Sequence, residues 1–448
     1  MMAATTQRLM QALLLAGPKG AHRELLLRQA EMSTATFYRA IESLQSHGLV
    51  REQGNHYVLP LEHPYNFAFK RLYDQGRLLD LPAPIRDEIQ GIVERLRTIQ
   101  QANLQALWLH GSVAQGSMDE ESDLDFLAVL SKERELQVQG TREVQMTSFT
   151  AQRFRTAFRD GDPFVRTVLA YGILLLDCDF SQEFYAQPAR DPDSRIWKER
   201  QEIQEEIDSR VLFFLRQKDE GEARRALSSL AVAVGRSMLD RLGELPAGKP
   251  DLLSQLKLYF GPAFSTLVEH CLSKAATHTE IMQMRRDLLD WQHRFSLHAN
   301  HIREVLDKLL GSEKRFEVAC VDMLKEMFPT QSDDRSYTGA DLRILLGPPA
   351  QAVEVFFKTF LGGSPGRLER LAPPSTHRVL LVLNILREVP FSQRAPLPAS
   401  LYHEAAEAGI VLVDSRDIFQ LYVRKLLDQE SELSPDRILF GQIEGSVK

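Results

Sequence analysis

The sequence predicts a multidomain α and α/β chain, and three observations carry this. Residues 1–62 read as helix, helix, helix, then two short strands. "LWLHGSVAQG" and "SDLDFLAVL" place a glycine–serine pair and two aspartates at the ends of apolar runs of strand length. A helical stretch over 186–311 then separates that region from a second strand–helix alternation over 312–448. At 448 residues the chain exceeds one ordinary core, which suggests the parts 1–62, 63–185, 186–311 and 312–448.

Composition narrows the function classes. With 44% hydrophobic and 26% charged residues the chain is an ordinary globular protein. Its net charge is -7, so contact with nucleic acid has to come from a local basic face. No apolar run approaches the roughly 20 residues that span a bilayer. The start, "MMAATTQRLMQALLLAG", is periodic and polar rather than a signal peptide. Cys178, Cys271 and Cys320 lie far apart with no CxxC, which argues against a disulfide frame or a cysteine zinc site. The expectation is a cytoplasmic protein with no membrane contact.

Along the first part, Thr5 to Ala16 has helical spacing, "GPKG" breaks it, and "HRELLLRQAEM" is a second short helix. Ser33 offers an N-cap for a third helix, "TATFYRAIESLQSHG", closed by Gly48. "LVREQGNHYVLP" reads as two strands around a Gly-Asn turn. Phe37, Ile41 and Leu44 give the third helix an inner face. Thr34, Thr36, Tyr38, Arg39 and Ser43 are left to reach a groove. This stretch resembles winged helix-turn-helix transcriptional regulators, which implies DNA as a partner. Packing against a partner protein is the alternative.

Residues 66–104 read as helical with a break at "LPAP", followed by strands "LQALWLHG", "DLDFLAVL" and "REVQMTSFT". A glycine at a strand end lets backbone approach a phosphate, and a serine opening the next helix adds a hydroxyl and free N–H groups. Asp123 and Asp125 are two apart on a strand, so both carboxylates share a face. Such oxygen ligands suit Mg²⁺, which is held by one or two carboxylates plus substrate phosphates. A phosphate cradle beside a magnesium pair is what nucleotidyl transfer requires.

Gly111-Ser112, ten intervening residues and Asp123-Leu124-Asp125 resemble the polymerase-β-like nucleotidyltransferases, at the spacing of the minimal members that include antitoxin enzymes. The resemblance covers about residues 66–180. It implies a nucleoside triphosphate, with ATP expected, and Mg²⁺. Gly111 and Ser112 would hold the triphosphate, and Asp123 and Asp125 the metal. The family carries a third carboxylate on the neighbouring strand. Gln145 stands there, and Glu143, two residues earlier on the same face, is the candidate displaced catalytic carboxylate.

The helical stretch resembles the bundle that follows the transferase domain in this superfamily and holds nucleotide or acceptor. Arg286 to His293 and Arg294 to His301 fit the spacing of HEPN ribonucleases, but with three histidines crowded on one helix a solvated face is the expected reading. The last part, with "FEVACVDMLKEMFP", "TGADLRILLG", "AVEVFFKTFLGG" and "HRVLLVLNI", resembles the restriction-endonuclease-like superfamily. That resemblance implies a site at Asp341 and Glu354, with Glu317 on the preceding helix. Phe356 stands at the lysine position, and Lys358 lies one pleat further along. A degenerate, non-cutting relative is expected.

The combined reading is a Mg²⁺-dependent nucleotidyltransferase with a DNA-binding winged helix, passing a nucleotide to a protein or nucleic-acid acceptor. Fold-level analogy suggests a bacterial defence or toxin–antitoxin setting. Two rivals stand beside it. One is a non-catalytic DNA-binding regulator or adaptor with decayed transferase and nuclease folds. The other is a DNA nuclease whose transferase domain senses nucleotide.

Overall fold

The computed structural model describes residues 4–16, 20–53, 56–100, 103–118, 122–134, 136, 138–185, 194–273, 276–328, 340–346, 351–360, 368, 378–385, 391–394 and 396–427. The chain forms two compact units. One comprises Met1–Arg210 and Leu245–Leu252, the other Val211–Glu244 and Leu253–Lys448.

The first unit opens with α1 (Ala4–Ala16), β1 (Ala21–His22), α2 (Arg23–Gln29), α3 (Thr34–Ser46), β2 (Arg51–Gln53) and β3 (His56–Val58). The strands form an antiparallel sheet in the order β1-β3-β2. Ser33 caps α3 by accepting from the Thr36 amide, which satisfies one of the orphan donors of the first turn. Leu9, Leu13, Phe37, Ile41, Leu44 and Tyr57 close the core beneath α3. β1 escaped the sequence reading because two residues carry no alternation. The Gly-Asn turn lies outside the described residues.

α4 (Pro64–Leu79) and α5 (Ala83–Gln100) lead into β4 (Leu104–His110), α6 (Gly111–Ala114), β5 (Leu124–Leu130) and β6 (Val144–Thr150). α7 (Ala151–Arg159), α8 (Pro163–Tyr171), β7 (Ile173–Asp177) and α9 (Gln182–Tyr185) complete the region. The sheet runs β6-β5-β4-β7. β4 is antiparallel to β5 and β7, and β5 is parallel to β6. Alternation builds two cores. Leu107, Leu109, Leu124, Phe126 and Ala128 meet Ile85, Ile89, Ile92 and Leu96 of α5. Ala106, Trp108, Leu127 and Val129 meet α7 and α8. Fully buried Trp108 stacks on Phe154 with centroids 5.6 Å apart.

α10 (Ser194–Arg216), α11 (Glu220–Arg241), α12 (Lys249–Phe260), α13 (Pro262–Leu272) and α14 (His278–Leu309) follow. Thr277 and Glu280 form a capping box at the start of α14. α10 straddles the boundary between the two units at Arg210, and Leu245–Leu252 belongs to the first. Within the second unit α14 packs against α11, α13 and the helix that follows it.

That last region contains α15 (Glu313–Met327), β8 (Leu342–Leu346), β9 (Gln351–Phe360), β10 (Arg378–Ile385), α16 (Ala399–Glu407), β11 (Ile410–Asp414) and α17 (Ser415–Leu426). The sheet order is β11-β10-β9-β8, with β9, β10 and β11 parallel and β8 antiparallel. Phe316 of α15 meets Phe357 edge-on. Phe356, Leu381, Leu383 and Leu412 pack with Leu401 and Ala405 of α16. Between β9 and β10, only Leu368 of residues 361–377 is described.

Candidate active site

β4 ends at His110, and the chain turns at once into α6. Gly111 adopts φ +75°, in the left-handed region. A Cβ built there would run into the Asp125 carboxylate. Glycine is therefore required twice, for the turn and for the close approach of Asp125. The turn is drawn tight around the Ser112 carbonyl, which accepts from the Gln115 and Ser117 amides at 3.2 and 3.0 Å.

Asp123 and Asp125 flank Leu124, the first residue of β5, and both are half-buried. Asp125 pairs in register with His110 on one side and Gln145 on the other. Gln145 donates its amide to Asp123 Oδ2 at 2.8 Å. Thus the position expected for a third carboxylate carries a neutral donor that engages one of the two acids. Glu143 precedes β6, is exposed, and accepts the Leu124 amide only through its backbone carbonyl at 2.9 Å.

Among the described residues, no three His, Cys, Asp or Glu side chains are arranged to hold a metal ion. Asp123 and Asp125 therefore fit only an ion that draws its remaining ligands from substrate phosphates and water, as Mg²⁺ does. The room left by Gly111 beside the Asp125 carboxylate is consistent with such a site.

Two supports for this turn were not read from the sequence. The first is a buried charge cluster on α4. Lys70 Nζ reaches Asp74 Oδ2 at 2.5 Å, and Asp74 accepts the Leu174 amide at 2.9 Å. Arg77 donates to the carbonyls of Ala114 at 2.5 Å and Tyr171 at 2.9 Å, tying α6 to the end of α8. Burial pushes the Lys70 ammonium below its usual range, against the pull of Asp74. The i, i+4 Lys–Asp spacing inside an amphipathic helix was the available signal, but exposed pairs look identical in sequence.

The second support is Leu245–Leu252. Gln115 donates to the Ala247 carbonyl, and Tyr171 Oη donates to the Leu245 carbonyl at 3.0 Å. Gly248 packs so closely on the Gln115 side chain that a Cβ there would collide with it. Lys249, exposed, follows directly. No local pattern announces this docking, since 132 residues separate Gln115 from Ala247.

The other predicted residues divide. On α3, Thr34, Tyr38, Arg39 and Ser43 are exposed. Thr36 turns inward, its hydroxyl 2.9 Å from Ser33 Oγ within the cap. Arg23 donates to Tyr38 Oη at 2.7 Å and lies over its ring. In the last sheet, Asp341 Oδ2 accepts the Phe357 amide at 2.8 Å. Burial, then Asp341 and Glu313, push the Glu317 carboxyl above its usual range, and Lys358 opposes them, so these side chains are electrostatic neighbours. Glu354, fully buried, accepts from Arg343 at 2.9 Å, and Phe356 lies in the core. Arg294 donates to the Leu427 carbonyl and His301 pairs with Tyr422 at 2.8 Å, so both brace α14 against α17.

A family model for the nucleotidyltransferase domain matches residues 89–169, spanning α5 to α8 and both motifs of the site. Those residues form a nucleotidyltransferase domain, and the match supports nucleotidyl transfer as the general chemistry of this region. No curated protein matches the chain. No helix among the described residues is long and apolar enough to cross a membrane.

Proposed function

We propose that the chain is a Mg²⁺-dependent nucleotidyltransferase that moves a nucleotide from a triphosphate, ATP in our reading, to a protein or nucleic-acid acceptor. The observation that carries this is the turn at Gly111, whose left-handed backbone and missing Cβ make room for the Asp125 carboxylate. Asp123 and Asp125 would hold the ion, which neutralises charge that develops on the transferred phosphate. Ser112 and the first amides of α6 would face the triphosphate. Lys249, exposed and next in sequence to the Gly248 that lies against Gln115, would supply a further cation for its outer phosphates. The test is incubation with labelled triphosphates and Mg²⁺, alone and with DNA or cell extract. Label on a macromolecule, lost in Asp123→Asn with Asp125→Asn, is the expected result. No bound nucleotide and no transferred label would end the proposal.

The order β1-β3-β2 beneath three helices supports a winged-helix reading of residues 1–62, with α3 as the groove-reading helix. Arg39→Ala should weaken DNA binding about tenfold, since one charge-assisted contact is worth roughly 1–3 kcal/mol, and added salt should weaken it further. A salt-independent binding curve would count against DNA. Three parallel strands with an antiparallel neighbour between helices support the restriction-endonuclease-like reading of the last part. The Arg343–Glu354 pair and the buried Phe356 favour a scaffold over a nuclease.

A second reading is favoured by the Gln145–Asp123 hydrogen bond: a DNA-binding adaptor whose transferase site no longer turns over. Gln145→Glu separates the two. It would raise transfer in an enzyme slowed by a missing carboxylate, and would leave an adaptor silent. A bacterial defence or toxin–antitoxin setting remains part of the proposal by fold analogy.

A further inference from the structure

A cavity of about 770 Å³ opens where α14 gives way to α15. Its cations outnumber its acids: Arg303, Lys308, Lys314 and Arg315 line it against Glu304 and Asp307. The acids are engaged internally. Arg303 Nε donates to Asp307 Oδ1 and Oδ2 at 3.0 and 3.2 Å, and Lys308 Nζ reaches Glu304 Oε1 at 2.7 Å. Lys314 and Arg315, both exposed, take part in no ion pair among the described residues. Two uncompensated cations thus meet in one concavity of a chain whose net charge is -7.

The remaining lining groups extend the same preference. Ser312 stands at the start of α15 in extended conformation, and its hydroxyl caps nothing. Guanidinium, ammonium and hydroxyl donors around one space suit a group with several anionic oxygens, and phosphate is that group. The volume lies in the range of small-molecule pockets, about 300–1,000 Å³, and exceeds what a lone phosphate fills. Val318, 46% exposed, adds an aliphatic surface at the rim, and the Asn300 amide adds a donor and an acceptor. An aliphatic surface and a donor–acceptor amide are groups that a base can use beyond its phosphates.

We propose that this cavity binds a nucleoside phosphate, at a site separate in sequence and residues from Gly111 and the paired aspartates. The full-length protein carrying Asp123→Asn and Asp125→Asn, which removes the ion-dependent site, is titrated with ATP and with pyrophosphate by calorimetry. Saturable ATP binding is expected, at least about tenfold tighter than pyrophosphate. Adding Lys314→Ala and Arg315→Ala should weaken ATP at least about tenfold, since each contributes a charge-assisted contact. Adding instead Lys198→Ala and Arg225→Ala, exposed residues outside the cavity, should leave it unchanged. Thermal melts of both sets of added variants should coincide with that of their Asp123→Asn, Asp125→Asn parent, because Lys314, Arg315, Lys198 and Arg225 are all exposed. Absence of ATP binding in the Asp123→Asn, Asp125→Asn protein, or binding indifferent to Lys314 and Arg315, would overturn the site. Pyrophosphate binding as tightly as ATP would overturn its nucleoside part.

Discussion

The two α/β sheets both present carboxylates near strand ends, and they treat them in opposite ways. At the start of β5, Asp123 and Asp125 stay half-buried, with a glycine clearing space for one and the Gln145 amide bonded to the other. On β9, Glu354 is fully buried and faces an arginine. A carboxylate left partly in water at small desolvation cost can accept an ion from solution. A buried one needs a permanent counter-charge, and Arg343 supplies it to Glu354. On the proposed reading, the neighbours of an acid, more than its presence on a strand, separate a site kept for ligand from one absorbed into the scaffold.

The sharpest way to break this comparison is to neutralise both acids of the first sheet. Asp123→Asn with Asp125→Asn should lower transfer at least about a hundredfold, the several kcal/mol that a metal supplies. Its melting temperature should hold or rise slightly, because like charges repel when no ion is bound. Asp341→Ala should leave transfer untouched. The reverse pattern would exchange the roles of the two sheets.

Next in size is Arg343→Ala, which leaves the buried Glu354 short of its counter-charge and should cost about 2–4 kcal/mol of stability. Adding Glu354→Gln should recover part of that loss in urea melts. A loss rescued by Mg²⁺ instead would show that Glu354 can bind metal after all. Gly111→Ala should cost about 1–3 kcal/mol in backbone strain and displace Asp125, abolishing ion-dependent nucleotide binding. Unchanged binding in that variant would remove the steric argument for the site.

How much of this was legible in the sequence follows from range. β4, β5 and β6 announce themselves by apolar runs that local alternation explains, and the spacing from Gly111 to Asp125 places the acids beside the turn. Gln145, which the structure sets in parallel register beside Asp125, could be placed at the third-carboxylate position by counting along its own strand. Its bond to Asp123 could not, since that depends on a rotamer. The Glu354–Arg343 pair was hidden behind an antiparallel register that pairs Arg343 with Glu354 across 11 residues. The clasp of Gln115 on Ala247 and the brace of Arg77 on Ala114 are long-range contacts with no periodic signature.

The smallest expected effect extends the comparison to the end of the second sheet. Asp414 caps α17 by accepting from the Arg416 amide, and Asp417 follows in the first turn. Burial, then the nearby Asp414, push the Asp417 carboxyl up from 3.8 to about 6, with Arg416 opposing. The folded protein therefore binds this proton more tightly than the unfolded chain. The stability it contributes is fully present below about 3.8 and is lost as pH rises through about 6. Asp417→Asn should accordingly stabilise by about 1–2 kcal/mol at pH 7–8, with the gain fading by pH 4. A pH-independent gain would point to a packing effect.

The excursion of the chain out of the first unit at Arg210 and back for Leu245–Leu252 dictates where the protein can be cut. A truncation near residue 210 would preserve every strand of the first sheet yet strip Gln115 and Tyr171 of the carbonyls they hold. Halves made that way should be judged by whether a synthetic peptide covering 240–255, added in trans, restores what the shortened chain has lost.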